Sequence, residues 1–234
     1  MGAIYQREMQ SFFFTPTGYI FLAVFYFFCG FYFAGYSLKQ NTSDLSEVFS
    51  SMFTICVFLI PLLTMRMLSE EKKNKTNQLI LTAPVSLWGL VFGKYFAALS
   101  IFGLGASIMI LFGIVFTALG TVNWILILGH MIGLLLLGAS LIAIGMFISV
   151  LTENQIIAAV GAIASGVFLV MADVAASMLP EGILRRMLDA ISFTGHYSGF
   201  TRGLINLEDV VFFLSAVVFF NFATIMSLDR SRWK

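Results

Sequence analysis

Long apolar stretches separated by short polar breaks set the plan of the chain. From Ser11 to Leu38 there is no Asp, Glu, Lys or Arg, and about 20 apolar residues suffice to cross the hydrocarbon of a bilayer. A first span is therefore expected over 17–37 and a second over 48–65, joined by a polar loop from Lys39 to Glu47. Pro61, near the end of the second, is expected to kink that helix. No Asp, Glu, Lys or Arg occurs from Tyr95 to Thr152, which is too long for one crossing. Gly120-Thr121-Val122-Asn123-Trp124 carries turn residues and an interfacial tryptophan, so this run divides into spans at 95–119 and 125–150. Thr152-Glu153-Asn154-Gln155 forms the next break, and the last spans are expected over 156–172 and 210–228.

Three segments do not fit a spanning pattern. Residues 1–16 place Tyr5, Met9, Phe12 and Phe13 at helical spacing opposite Gln6, Arg7, Glu8 and Gln10, so they read as an interfacial helix ended by Thr15-Pro16. Residues 177–209 set Ile183, Leu184, Met187, Leu188 and Ile191 on one stripe with Arg185, Arg186 and Asp189 opposite. That segment reads as amphipathic, lying at the outer interface or dipping into it. Residues 66–94 hold the densest charge. Within them Ala83 precedes Pro84 and is pushed out of helical geometry, so a short helix from about Lys73 to Thr82 is expected to end there. The expected fold is all-α, a single domain of six transmembrane helices over residues 1–234.

Composition agrees with that reading: 59% of the 234 residues are hydrophobic and 11% charged, with a net charge of +1, which removes any global field for nucleic acid. The apolar N-terminal run is too long for a signal peptide and is expected to persist as a span. With the N-terminus inside, Arg7, Arg66, Lys72, Lys73, Lys75, Lys94, Arg230, Arg232 and Lys234 are cytoplasmic. Only Lys39, Arg185, Arg186 and Arg202 are then outside, and this excess favours both termini in the cytoplasm. Cys29 and Cys56 sit within apolar runs and read as core residues.

Candidate chemistry is sparse. His130, Glu153 and Asp173 lie at expected interfaces and not at mid-bilayer, and Asn221 is expected to bond between helices. His196-Tyr197 has no ligand-spaced carboxylate or cysteine beside it in sequence and reads as structural. Gly93-Lys94 is no P-loop, because Trp88 stands where the first glycine should be and Tyr95 follows the lysine. A secondary carrier would place charge at the midplane, and an intramembrane hydrolase would partner a serine at depth, whereas His130 and Ser140 fall on different faces of one helix. Both stay open as alternatives, although the mid-bilayer is nearly free of charge.

Glu70-Glu71-Lys72-Lys73, Thr76, Leu79, Leu81, Pro84-Val85-Ser86, Trp88 and Gly93-Lys94, together with the Tyr5, Arg7 and Glu8 helix before Thr15-Pro16-Thr17-Gly18, resemble the permease subunits of ABC-2 family transporters. The gliding-motility-type branch is the most similar, although Lys75, Gln78 and Ala83 depart from its pattern. The resemblance implies an exporter in the cell membrane, in which Glu70, Glu71, Lys72, Lys73, Thr76, Leu79, Leu81, Pro84, Val85, Trp88, Gly93 and Lys94 form the ATPase-coupling region. It implies a cytoplasmic ATPase dimer as partner and a second permease chain beside this one, with membrane lipid around both. It also implies no catalysis, cofactor or metal in this chain, ATP and Mg being bound by the partner ATPase.

Overall fold

A computed structural model of the chain describes residues 2–39, 44–74, 86–119, 123–180 and 182–232. It is 88% helical, with no strand among the described residues. Six helical stretches are long and apolar enough to cross a membrane: Pro16–Leu38, Ser46–Lys73, Leu87–Ala118, Trp124–Leu151, Gln155–Met178 and Leu207–Arg230.

Helix α1 (Gly2–Phe14) is closed by Thr15, whose Oγ1 donates to Ser11 O at 2.8 Å. Pro16 then opens α2 (Pro16–Tyr32), where its missing N–H is not needed. Phe21, Phe25, Cys29 and Phe33 recur every four residues and bury one stripe of this span, which widens into a π-helix over Phe33–Leu38. Helix α3 (Ser46–Thr64) contains Pro61, which lacks the donor a regular ladder would use there, and Thr64 Oγ1 donates to Ile60 O at 3.3 Å beside it. After a turn comes the short α4 (Ser69–Lys73).

The third span begins at Leu87, although the sequence pattern places its start at Tyr95. Ser86 explains the early start: its Oγ accepts from Gly89 N at 3.1 Å and caps α5 (Leu87–Ala106). Trp88, Gly93 and Lys94 therefore lie on a long helix and not in a loop before it. At Ser107 this span breaks and resumes as α6 (Ile108–Leu119). The hydroxyls of Ser107 (2.6 Å) and Tyr26 (3.0 Å) both donate to Leu104 O at the break. Gly103, Gly105 and Ser107 thus mark a kink in the third span.

Helix α7 (Trp124–Leu151), capped by Asn123, is the centre of the bundle. It packs against α3, α5, the following span α8 (Gln155–Met178) and the last span α11 (Leu207–Arg232). Two of its glycines admit those neighbours. A Cβ at Gly138 would stand 2.1 Å from the Phe102 ring of α5, and one at Gly145 would stand 2.2 Å from Thr64 Oγ1 of α3. By contrast α8 is mostly exposed, presenting Ile156, Val160 and Phe168 outward, as a span bathed in lipid does.

Residues 177–209 hold two helices, where the pattern suggests one amphipathic stretch. The first, α9 (Ile183–Asp189), leaves Ile183 and Met187 exposed. The second, α10 (Phe193–Thr201), turns inward and buries Phe193, Tyr197 and Phe200 against α7. Tyr197 Oη donates to Phe49 O at 2.8 Å, fastening it to α3.

Candidate functional site

Glu8, Glu71 and Lys94, far apart in sequence, meet where α1, α4 and α5 converge. Lys94 is two turns into α5 and almost fully buried. Its Nζ contacts Glu71 Oε1 at 2.9 Å, Glu8 Oε1 at 3.0 Å and Met67 O at 2.8 Å. An ammonium has three donors, and here each has an acceptor. From the more exposed side, Arg7 Nη2 reaches the same two carboxylate oxygens, each at 2.7 Å. The result is two cations clamped by two carboxylates, with the lysine beneath and the arginine above.

Each member is placed by its element. On α1, Tyr5, Glu8 and Phe12 recur along the face turned to α5, and Tyr5 Oη shares a hydrogen bond with Ser100 Oγ at 3.0 Å. Glu71 comes from α4, whose first turn is capped from α7 because its own N-cap, Leu68, has no side chain able to do so. Ser149 Oγ accepts from Leu68 N (3.2 Å) and Ser69 N (3.1 Å), and donates to Met65 O (3.2 Å). Ser69 Oγ also donates to Met65 O, and Lys72 Nζ approaches Val150 O at 3.5 Å. One end of the bundle is thus stitched together: the N-terminal helix, the ends of the second and fourth spans and the start of the third.

Electrostatics follow from the burial. Desolvation alone would raise the Glu8 carboxyl, but the Lys94 charge and the hydrogen bonds from Arg7 and Lys94 outweigh it and leave its pKa below the ordinary carboxylate value. For Arg7, burial opposes the charged form, and the hydrogen bonds and charges of Glu8 and Glu71 more than offset it, so its pKa is raised. Both groups stay ionised at neutral pH. Arg66 and Glu70 make a further pair at 2.9 Å, about one third exposed.

Of the residues the sequence assigns to coupling, Glu71 and Lys94 enter the cluster. Glu70 and Lys72 flank it, and Lys73 is exposed at the end of α4. Gly93 is buried in α5. Trp88 is half exposed at the start of α5, stacking on Phe92 and touching Phe222 of α11. Thr76, Leu79, Leu81, Pro84 and Val85, with most of the helix expected from Lys73 to Thr82, lie outside the described residues. The sequence reading places Arg7 and Glu8 together on the polar side of α1, but Glu8 is turned inward. It does not single out Ser149 or Met67, which bear no motif.

His130, Ser140, Asn221 and His196 have local partners. His130 Nε2 bonds Thr201 O at 2.9 Å, and Ser140 Oγ donates to Leu136 O at 2.9 Å, so the two form no catalytic pair. Asn221 does not bond between helices: its Nδ2 donates to Val217 O of its own helix at 2.9 Å. His196 has a carboxylate partner after all, Asp209 at 2.6 Å, which sequence spacing does not bring beside it. No group of three metal-ligating residues occurs among the described residues.

Such a bundle defines a multi-pass helical membrane protein, with a buried ion cluster at the end where α1, α4 and α5 meet. A family model described as ABC-2 family transporter protein matches residues 3–232, and the chain belongs to that family. It is therefore a membrane component of an ABC transporter, a family whose members typically work with an ABC ATPase. No curated protein matches the chain.

Proposed function

We propose that the chain is the permease subunit of an ATP-driven exporter in the cell membrane, with both termini in the cytoplasm. A separate ATPase dimer supplies the energy and a second permease chain completes the path. The observation that carries this reading is the buried cluster of Arg7, Glu8, Glu71 and Lys94. It ties three elements together immediately beside the stretch 75–85, which is bracketed by Asn74 and Ser86. In this reading that stretch contacts the ATPase through Leu79 and Leu81, and its displacement passes through Glu71 and Lys94 to α1 and the third span. Export, and kinship with the gliding-motility-type branch, rest on the sequence motifs.

Co-expression with the ATPase subunit tests it. Leu79→Glu and Leu81→Glu should leave the permease in the membrane and abolish recovery of the ATPase on affinity purification of the permease. Undiminished recovery of the ATPase with the double variant would refute the docking role.

A further inference from the structure

Above the ion cluster, where α1 passes into the first span, a cleft of about 380 Å³ opens between α1, the start of α2, the end of α3 and α4. Lys94, Glu8 and Glu71 form part of its lining, already satisfied by one another. The charged groups that remain more open to it are Arg7 (53% exposed), Arg66 (32%) and Glu70 (36%). In all, three basic and three acidic side chains line the cleft, so it has no surplus charge to attract an anion. What it presents is paired charge, Arg66 bonding both Glu70 oxygens at 2.9 and 3.2 Å and Arg7 bonding Glu8 and Glu71. Each guanidinium carries five N–H groups, more than these pairs use, which suit phosphate oxygens, and the Glu70 carboxylate has further lone pairs, which suit an ammonium.

The hydroxyls of the cleft sharpen the match. Thr15 Oγ1 donates to Ser11 O at 2.8 Å and lies 2.7 Å from Thr17 Oγ1, so Thr17 is the donor between them. With both protons committed, these hydroxyls offer lone pairs, which accept hydrogen bonds from an amine and give none to a phosphate. The neighbouring surface is apolar and open: Phe14 is 87% exposed, and Tyr19 and Ile20 are about half exposed. These side chains flank the Thr15–Thr17 step, where an amphipathic helix meets a span and the headgroup region is expected.

We propose that this cleft binds the headgroup of a phospholipid carrying a primary amine, of the phosphatidylethanolamine type. The phosphate lies between Arg7 and Arg66, the ammonium donates to Glu70 and the threonine hydroxyls, and the acyl chains pass over Phe14, Tyr19 and Ile20. A choline headgroup has no N–H to donate, and a glycerol headgroup leaves Glu70 facing a net anion. The proposal requires α1 to lie at the membrane surface and does not depend on the transport reading.

The full chain, stripped of lipid in detergent, is titrated with phosphatidylethanolamine, phosphatidylcholine and phosphatidylglycerol of identical chains, and bound lipid is counted by native mass spectrometry. Phosphatidylethanolamine should bind about tenfold more tightly than either other lipid, and Arg66→Gln and Glu70→Gln should each remove most of that preference. Equal binding of the choline lipid, or an unchanged preference in both variants, overturns the proposal. The comparison of lipids on the unaltered protein decides the matter even where a variant does not fold. Water-soluble O-phosphoethanolamine should compete only at far higher concentration; competition at equal concentration means a soluble phosphate ligand and rejects the lipid. Finally, Ser11→Cys, on the α1 wall of the cleft, is labelled with maleimide in membranes, where the native Cys29 and Cys56 are buried. Protection that appears only when the ATPase is co-expressed marks the cleft as a protein contact and also overturns the proposal.

Discussion

Lys94→Met tests whether the buried cluster holds the end of the bundle together. The substitution keeps an unbranched chain of similar length but removes the ammonium that contacts Glu8 Oε1, Glu71 Oε1 and Met67 O. Two carboxylates that are only 12% and 14% exposed then lose their buried cation, while Arg7, which is half exposed, still contacts both. Removing one partner of a buried pair costs about 3–5 kcal/mol, because the remaining charge stays desolvated. Removing the outer cation with Arg7→Gln should cost much less, about 1 kcal/mol, since water already solvates that side. The assay is reversible unfolding of the purified protein in mixed detergent, followed by loss of helicity, for Lys94→Met, Glu8→Gln and the double variant. Coupling between the two sites should be about 1–3 kcal/mol. If the two single effects add within about 0.5 kcal/mol, or if Arg7→Gln is as damaging as Lys94→Met, the geometry does not carry the stability claimed for it.

The same cluster sets a pH dependence. Glu8 has a lowered pKa in the folded protein, so its contribution is fully present above the ordinary carboxylate value of about 4.3 and is lost as pH falls through the lowered value. Acid unfolding should therefore be shallower in Glu8→Gln, and an unaltered acid limb would refute the assignment. Ser149→Ala should cost about 1–2 kcal/mol by leaving the Leu68 and Ser69 N–H groups without their acceptor, read by faster amide exchange at the start of α4. Gly138→Ala should cost about 1–3 kcal/mol by overpacking against Phe102, and Phe102→Leu should recover part of the loss. Tyr197→Phe should cost about 1 kcal/mol for the bond to Phe49 O, with limited proteolysis reporting a loosened α10.

The spans were legible because a membrane imposes its length on the sequence: charge-free runs bounded by Thr15-Pro16, Asn123-Trp124 and Asn154 leave few choices. Which span is central was not legible. In lipid an apolar helix serves equally as core or periphery, so the near-uniform hydrophobicity of α7 and α8 says nothing about their opposite burial. Gly133, Gly138 and Gly145 let other helices approach α7, but Gly166 on α8 likewise admits Val57, so glycine spacing alone does not separate the two. The ion cluster was half legible. Glu71 and Lys94 stand out as charges beside spans, but the partner of Lys94 is 86 residues away on α1, and no periodicity within either segment points across that distance. Lys94 looked like the last residue before a span because an unpaired lysine belongs in water. Paired, it can sit two turns inside.

That placement bears on how force could travel through the molecule. An ion pair at about 3 Å in a poorly solvated setting loses much of its energy if its members separate by a few ångströms, so α1, α4 and α5 are held to move together before they come apart. Ser149 extends the constraint to α7, the helix on which α3, α5 and α11 all pack. A pull applied anywhere between Asn74 and Ser86 therefore meets Glu71 on one side and the Ser86 cap of α5 on the other. Neither side can yield without shifting Lys94. The exposed spans offer less resistance: α8 has only 17% of its apolar window buried, against 72% for α7. Displacement entering beside Glu71 should thus carry α1, α4 and the start of α5 together with the adjoining end of α7, with the break at Ser107 as the point where the third span can bend. Cross-linking α1 to α5 through Tyr5→Cys and Ser100→Cys should leave such motion intact, and loss of coupled ATPase activity in the linked protein would show that the two helices must separate.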